Sequence, residues 1–189
     1  KYPHGNSLRI RGKNESVVID PSLGLVAREG EKPAADWLLF SHCHEDHIAG
    51  AHLYPEIPWH FHREDLPGIQ SLDAFMGIYG FPDSVNNGFR PVVEEQFHYM
   101  ANPASKAYED GDVFDLGGVR IQVVHTPGHT RGHSCFLVDW DGSEDRLLYL
   151  GDIDRDYAAL NQARREFFAE CGVEPRPAST GVQGVPCVE

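Results

Sequence analysis

The stretch Ser41–His47, SHCHEDH, sets three histidines and two carboxylates within seven positions. Imidazole nitrogens and carboxylate oxygens are the ligands that zinc, iron and manganese take from proteins. In an extended segment alternate residues share a side, so His42 and His44 face one way and Cys43 the other. If the chain then turns into a helix, Asp46 and His47 come round beneath them. One strand-to-helix corner therefore offers two histidines to one metal and an Asp-His pair to a second. Two later corners carry the same residue types. TPGHT (126–130) puts His129 in a Pro-Gly turn after a strand, placed to complete a three-histidine set with His42 and His44. YLGD ends on Asp152 just after the apolar run LLYL, and a charged carboxylate there needs a partner, which a bridge between two metals supplies. A chain with 11 histidines will show chance clusters, but three strand ends each bearing ligands are a poor match to random scatter.

The elements that must position these corners are mostly short strands. LRIRG (8–12) and SVVID (16–20) flank a Lys-Asn turn in a hairpin-like arrangement, and PSLGL then breaks the pattern. DWLLFSH (36–42) has a continuous apolar centre from Trp37 to Phe40, as expected of a strand buried on both faces. DHIAGAHLYPE reads as a short helix with Asp46 near its start, and IPWHFH (57–62) as another strand. Residues from about 64 to 107 hold Gly, Pro and Asn breakers, many aromatics and one helix, QSLDAFMGIYG. This segment reads as an insertion, either a lid on the substrate side or a plain helical cover for the core. GVRIQVVHTPGH (118–129), HSCFLVDW (133–140) and RLLYLGD (146–152) return to strand patterning, with Asp141-Gly142 in the turn between the last two. AALNQARREFFAE (158–170) is a helix, and the tail from Gly172 is loop with at most one weak strand. The expectation is a single domain over 1–189 carrying the insertion at about 64–107.

Bulk properties narrow the function classes. At 189 residues, with 41% hydrophobic and 24% charged residues, the chain suits one ordinary globular domain rather than a disordered one. Its 29 acidic residues against 16 basic ones give a net charge of -13, a field that repels polyanions, so nucleic acid is not an expected partner. No apolar run is long enough for a membrane span. Cys43, Cys135, Cys171 and Cys187 form no CxxC pair and read as reduced, mostly buried thiols, with Cys43 a packing residue beneath the metal loop. The chain begins at Lys1 without a basic and apolar leader, which favours a cytoplasmic location, although the missing initiator Met leaves removal of an upstream piece open. Oligomeric state is open, the insertion being the natural place for a self-contact.

HxHxDH at 42–47, PGHT at 127–130 and GD at 151–152, in that order between strands, resemble the metallo-β-lactamase fold superfamily over roughly Asn6 to Asp154. With Asp rather than Cys at 152, the pattern is similar to the hydroxyacylglutathione hydrolase and lactonase-like branch. The resemblance implies an α/β (α+β) fold, an αββα sandwich of two mixed β-sheets flanked by helices, with metals in a cleft at one edge. It implies His42, His44 and His129 as histidines of a first metal, Asp46 and His47 as ligands of a second, and Asp152 as the bridge. It further implies two divalent ions, zinc first with iron or manganese as substitutes, and a hydrolase of a small-molecule ester, thioester or lactone. Asp46 would orient the metal-activated hydroxide. One departure stands out: the family supplies a last histidine after a further strand, and none follows His133 here. Either the C-terminal part is incomplete or the second site is, with Cys187 and Glu189 poor substitutes. HCHEDHIAG is also similar to the persulfide dioxygenases, where His42, His129 and Asp152 would hold one iron, and a non-catalytic ligand-binding member is a third reading. His133 either braces the site by hydrogen bonding or is a buried polar strand residue. His60, His62 and His98 read as ordinary histidines, and Tyr79, Tyr99 and Phe89 as pocket lining or core filling.

Overall fold

The Lys-Asn turn closes a hairpin: β1 (Leu8–Arg11) and β2 (Ser16–Ile19) pair antiparallel with Leu8 opposite Ile19. The coordinates are a computed structural model that describes residues 2–153. After a one-turn helix α1 (Leu23–Val26), the chain enters β3 (Trp37–Leu39), which lies parallel to β2. β4 (Trp59–His62) and β5 (Lys106–Tyr108) continue in parallel, completing a five-stranded mixed sheet in the order β1-β2-β3-β4-β5. A second sheet, β6 (Val113–Asp115), β7 (Val119–His125), β8 (Ser134–Trp140) and β9 (Arg146–Tyr149), follows in chain order. Its described pairings are all antiparallel, whereas two mixed sheets were expected. β5 and β6, of three residues each, are too short for their alternation to be read from sequence.

Strand alternation sorts the apolar residues into two cores. Val17, Ile19, Trp37 and Leu39 face the second sheet and pack with Val119, Ile121, Val123, Phe136 and Val138. Val18, Leu38 and Phe40 point the other way, into a layer containing Ile48, Phe75, Met76 and Val93. Burial on both faces is why WLLF carries no polar residue. Helices, first sheet and second sheet are thus three of the four layers expected. The helix at 158–170, the tail from Gly172, Cys171, Cys187 and Glu189 lie outside the described residues. Among the described residues no helix is long and apolar enough to cross a membrane.

Two helical expectations change. The helix after the histidine loop is only α2 (Glu45–Ile48), followed by a separate 3₁₀ turn at Ala51–Leu53. The break falls at Gly50, whose N–H donates to Pro21 O at 2.6 Å and where a Cβ would meet that oxygen at 2.8 Å. The insertion holds two helices rather than one: α3 (Leu72–Ile78), capped by the Ser71 hydroxyl, and α4 (Asp83–Glu95), which contains Pro91. Asn, Gly and Pro make α4 a weak helix by propensity. It is held by tertiary packing of Val93 and Phe89, one turn apart on the face towards the helical core.

Candidate metal centre

The carboxyl ends of the parallel strands β2, β3 and β4 share one edge of the first sheet. The carboxyl ends of β7 and β9 and the start of β8 share one edge of the second. The two edges meet where Ser134 N–H donates to Ser41 O at 2.9 Å. His42, His44, His129 and Asp152 lie in loops leaving this junction, and Asp46 and His47 in the short helix α2 that follows the first of them.

His42, His44 and His129 gather there, each offering one nitrogen within 4.8 Å of the others. His42 is buried, its Nδ1 3.0 Å from Ser41 Oγ and its Nε2 without any hydrogen-bond partner. His44 Nδ1 and His129 Nε2 approach to 2.8 Å. Burial, and then the neighbouring imidazoles, hold His42 well below its usual range and bring His44 down to about 3; burial lowers His129 too, against the pull of Asp152. Charge is thereby disfavoured on all three rings. Tetrahedral ligands bound at ~2.0–2.1 Å stand roughly 3.3 Å apart, so a small adjustment of these nitrogens would accommodate zinc. A partnerless buried nitrogen among neutral imidazoles fits a cation better than it fits a proton.

Asp46, His47 and Asp152 form the adjoining group. His47 Nε2 lies 2.9 Å from Asp152 Oδ1 and 3.7 Å from Asp46 Oδ2, neither in hydrogen-bond alignment. Its Nδ1 is 2.8 Å from Asp20 Oδ2, which leaves Nε2 free to ligate. Burial disfavours a charge on His47, but Asp152, Asp20 and Asp46 outweigh it and raise the ring to about 10. Contact with His47 in turn holds Asp152 at about 2. Burial lifts Asp46 to about 6 despite His47. Asp152 spans the two groups: Oδ1 faces His47, while Oδ2 stands 3.6 Å from His129 Nε2.

A sequence profile for the beta-lactamase superfamily domain matches residues 1–166. The chain belongs to that superfamily. It is 29% identical over 184 residues to the acyl-coenzyme A thioesterase MBLAC2 of Homo sapiens, an alignment covering 85% of this chain and 63% of the relative. A second relative, the atrochrysone carboxyl ACP thioesterase AgnL7 of Paecilomyces divaricatus, is 28% identical over 150 residues, covering 76% of this chain and 40% of that one. The chain thus spans less than two thirds of either relative. Among solved structures, the subclass B3 metallo-β-lactamase BJP-1 of Bradyrhizobium japonicum superposes with a TM-score of 0.56 at 17% identity, over 88% of this chain and 66% of that one. At that identity it speaks for the fold alone, and the fold is the expected metallo-β-lactamase sandwich.

The superfamily domain also uses residues that the sequence reading passed over. Asp20 is fully buried at a positive φ of 45° and accepts from Ser41 N at 2.6 Å, Ser41 Oγ at 2.5 Å and Tyr149 Oη at 2.9 Å besides its contact with His47. Asp65, also buried, holds the Cys43 and Gly132 N–H groups and the Thr130 hydroxyl. Asp20 directly follows a buried apolar strand, the same signal that marked Asp152. His133 is fully buried: Asp152 N–H donates to its Nε2 at 3.2 Å, so Nδ1 carries the proton and donates to Thr126 Oγ1 at 2.9 Å. Tyr79 lies face to face with His44, centroids 5.2 Å apart, and donates its hydroxyl to Glu45. Burial, then Asp65, pushes the Cys43 thiol up, which leaves it a packing group. His60, His62 and His98 lie outside both donor groups, and Tyr99 fills the core beside Phe75.

Proposed function

We propose that this chain carries the active site of a metal-dependent hydrolase that cleaves an acyl thioester or ester. The observation behind this reading is the placement of Asp152, with one carboxylate oxygen toward each of two histidine-bearing groups. The thioesterase names of the two curated relatives favour a thioester as the scissile bond. His42, His44 and His129 would hold one divalent ion, Asp46 and His47 a second, with Asp152 between, and nitrogen-rich donors of this kind suit zinc. Ions bound there would polarise the acyl carbonyl and lower the pKa of water. The chain's own residues do the rest. Asp20 fixes the ring orientation of His47, and His133 holds the backbone of Asp152. Asp46, as a ligand of the second ion, would orient the attacking water. Substrate enters from the side of His129 and Asp152, whose side chains are 35% and 40% exposed against 1% for His47.

The test is elemental analysis followed by thiol release from a panel of acyl thioesters, with p-nitrophenyl esters alongside. Zinc-loaded protein should turn over, and Asp152→Ala should lose activity by roughly a thousandfold or more while keeping its fold, as loss of a shared metal ligand demands. Full activity in Asp152→Ala would remove the bridging role. One iron per chain with oxygen uptake would instead assign His42, His129 and Asp152 to oxygen chemistry.

A further inference from the structure

The described residues expose five large hydrophobic side chains, and four of them gather around one feature. Ile78, Phe81 and Val85 belong to the α3–α4 corner at 37%, 39% and 46% exposure. Tyr2, at 64%, reaches Glu45 with its hydroxyl, the same buried carboxylate that takes the hydroxyl of Tyr79. This apolar surface is continuous with the candidate metal centre. His44 stacks on Tyr79 at 5.2 Å and 19°, and Tyr79 stacks on Phe81 at 5.1 Å and 18°. Phe89 supports both rings edge-on, at 5.5 and 6.0 Å. A file of stacked rings thus leads from a ligand histidine to solvent. Glu45, the charge beneath it, is capped by two tyrosine hydroxyls and presents no ionic group to the surface. Exposed apolar side chains gathered beside a reaction centre mark a site for an apolar group, with the exposed Asp83 at its rim between Phe81 and Val85.

We propose that this shelf, Tyr79–Phe81 with Ile78 and Val85, binds the hydrocarbon chain of the acyl group and so sets a preference for long-chain acyl substrates. The proposal rests on the hydrolase reading for the bond cleaved, but the shelf can be tested without turnover.

Metal-free protein is titrated with dansyl-undecanoate, and butyrate, octanoate and dodecanoate compete for the probe. Full burial of a methylene is worth ~0.8 kcal/mol, about fourfold in affinity, so a half-open shelf should give about twofold per methylene. Replacing Phe81 and Val85 together by Asp should weaken probe binding by about tenfold or more and flatten the chain-length dependence. Val113→Asp, at the fifth exposed hydrophobic on β6, should do neither. Phe81→Gln alone serves if the double variant does not fold, with the same direction expected. In zinc-loaded protein kcat/KM should rise from butyryl- to dodecanoyl-CoA. Probe binding that is absent, insensitive to Phe81, or equally lost in Val113→Asp overturns the shelf. So does sedimentation showing a dimer that the Phe81 variant dissociates, because the occupant would then be a second copy. Chain-length-dependent binding with no hydrolysis of any thioester or ester would sink the hydrolase reading and leave the shelf standing.

Discussion

Asp65→Ala should damage the fold and the three-histidine site together. Asp65 sits just after β4 with 2% of its surface exposed. One oxygen accepts from Thr130 Oγ1 at 2.6 Å and Cys43 N at 3.2 Å, and the other accepts from Gly132 N at 2.7 Å. A single carboxylate therefore ties the loop between His42 and His44 to the loop flanking His129. Truncation strands two backbone N–H groups, each costing about 1–3 kcal/mol when left buried without an acceptor, while the Thr130 hydroxyl can rotate away. The expected loss is about 3–5 kcal/mol, a large part of the ~5–15 kcal/mol that holds a typical domain together. Thr130→Ala removes one partner and leaves the carboxylate two others, so it should cost only about 1 kcal/mol. Urea unfolding of metal-free protein, followed by tryptophan fluorescence, measures both. Zinc affinity of the first group, read against a chromophoric chelator, should fall about 10–100-fold in Asp65→Ala, as for other residues that orient ligands. A stability loss below about 1 kcal/mol, or a larger loss in Thr130→Ala, would refute the role of Asp65 as a staple. Unchanged zinc affinity alongside lost stability would refute its link to the histidines.

Gly151→Ala should displace Asp152, because Gly151 has φ +55° and a Cβ there would lie 2.7 Å from both His133 Nε2 and Ser41 Oγ. Backbone strain and overpacking together should cost about 2–4 kcal/mol in urea unfolding, and bound zinc should fall toward one per chain by elemental analysis. Asp20→Ala strips His47, Ser41 and Tyr149 of their shared acceptor and should cost about 3–5 kcal/mol; a loss under 1 kcal/mol would remove Asp20 from the framework. On the acid side, the backbone N–H and then the hydroxyl of Ser16 hold the Asp36 carboxyl below its ordinary value. A depressed carboxyl stabilises above its unfolded pKa of about 3.9 and loses that contribution as pH falls through the folded value. The stability difference between wild type and Asp36→Asn should therefore shrink in acid titration below about pH 4, and a difference that grows there would contradict the assignment.

How far the site was legible depended on what each residue does locally. Histidines and carboxylates at strand ends announce themselves by type, because a charged group directly after a buried apolar run has to be answered by something. That rule picks out Asp152 after LLYL and holds equally for Asp20 after SVVI, a strand buried along its whole length. Asp65 was harder to find: it stands three residues beyond β4, and its partners lie in segments remote in sequence. The helix α4 was illegible for the opposite reason. Its Asn, Gly and Pro speak against a helix locally, and only Val93 and Phe89 meeting the helical core make one.

The acid excess of the sequence can now be divided by what answers each charge. Asp20, Asp65 and Glu45 are buried, and each is satisfied by donors from the chain: backbone N–H groups, hydroxyls or a ring nitrogen. Those three organise loops. Asp46 and Asp152 are different: the groups they face are the ring nitrogens of His47 and His129, at 2.9 to 3.7 Å and out of hydrogen-bond alignment where His47 is concerned. The framework carboxylates are answered by the chain itself, whereas His42 Nε2 faces no partner and Asp46 and Asp152 converge beside it on the single ring of His47. A proton on His47, whose ring is raised to about 10, answers Asp152 and Asp46, whereas burial and the neighbouring rings disfavour one on His42 or His44. A cation would answer the buried three-histidine group that protons do not, so the partnerless His42 Nε2, more than the histidine count, points to the candidate metal site.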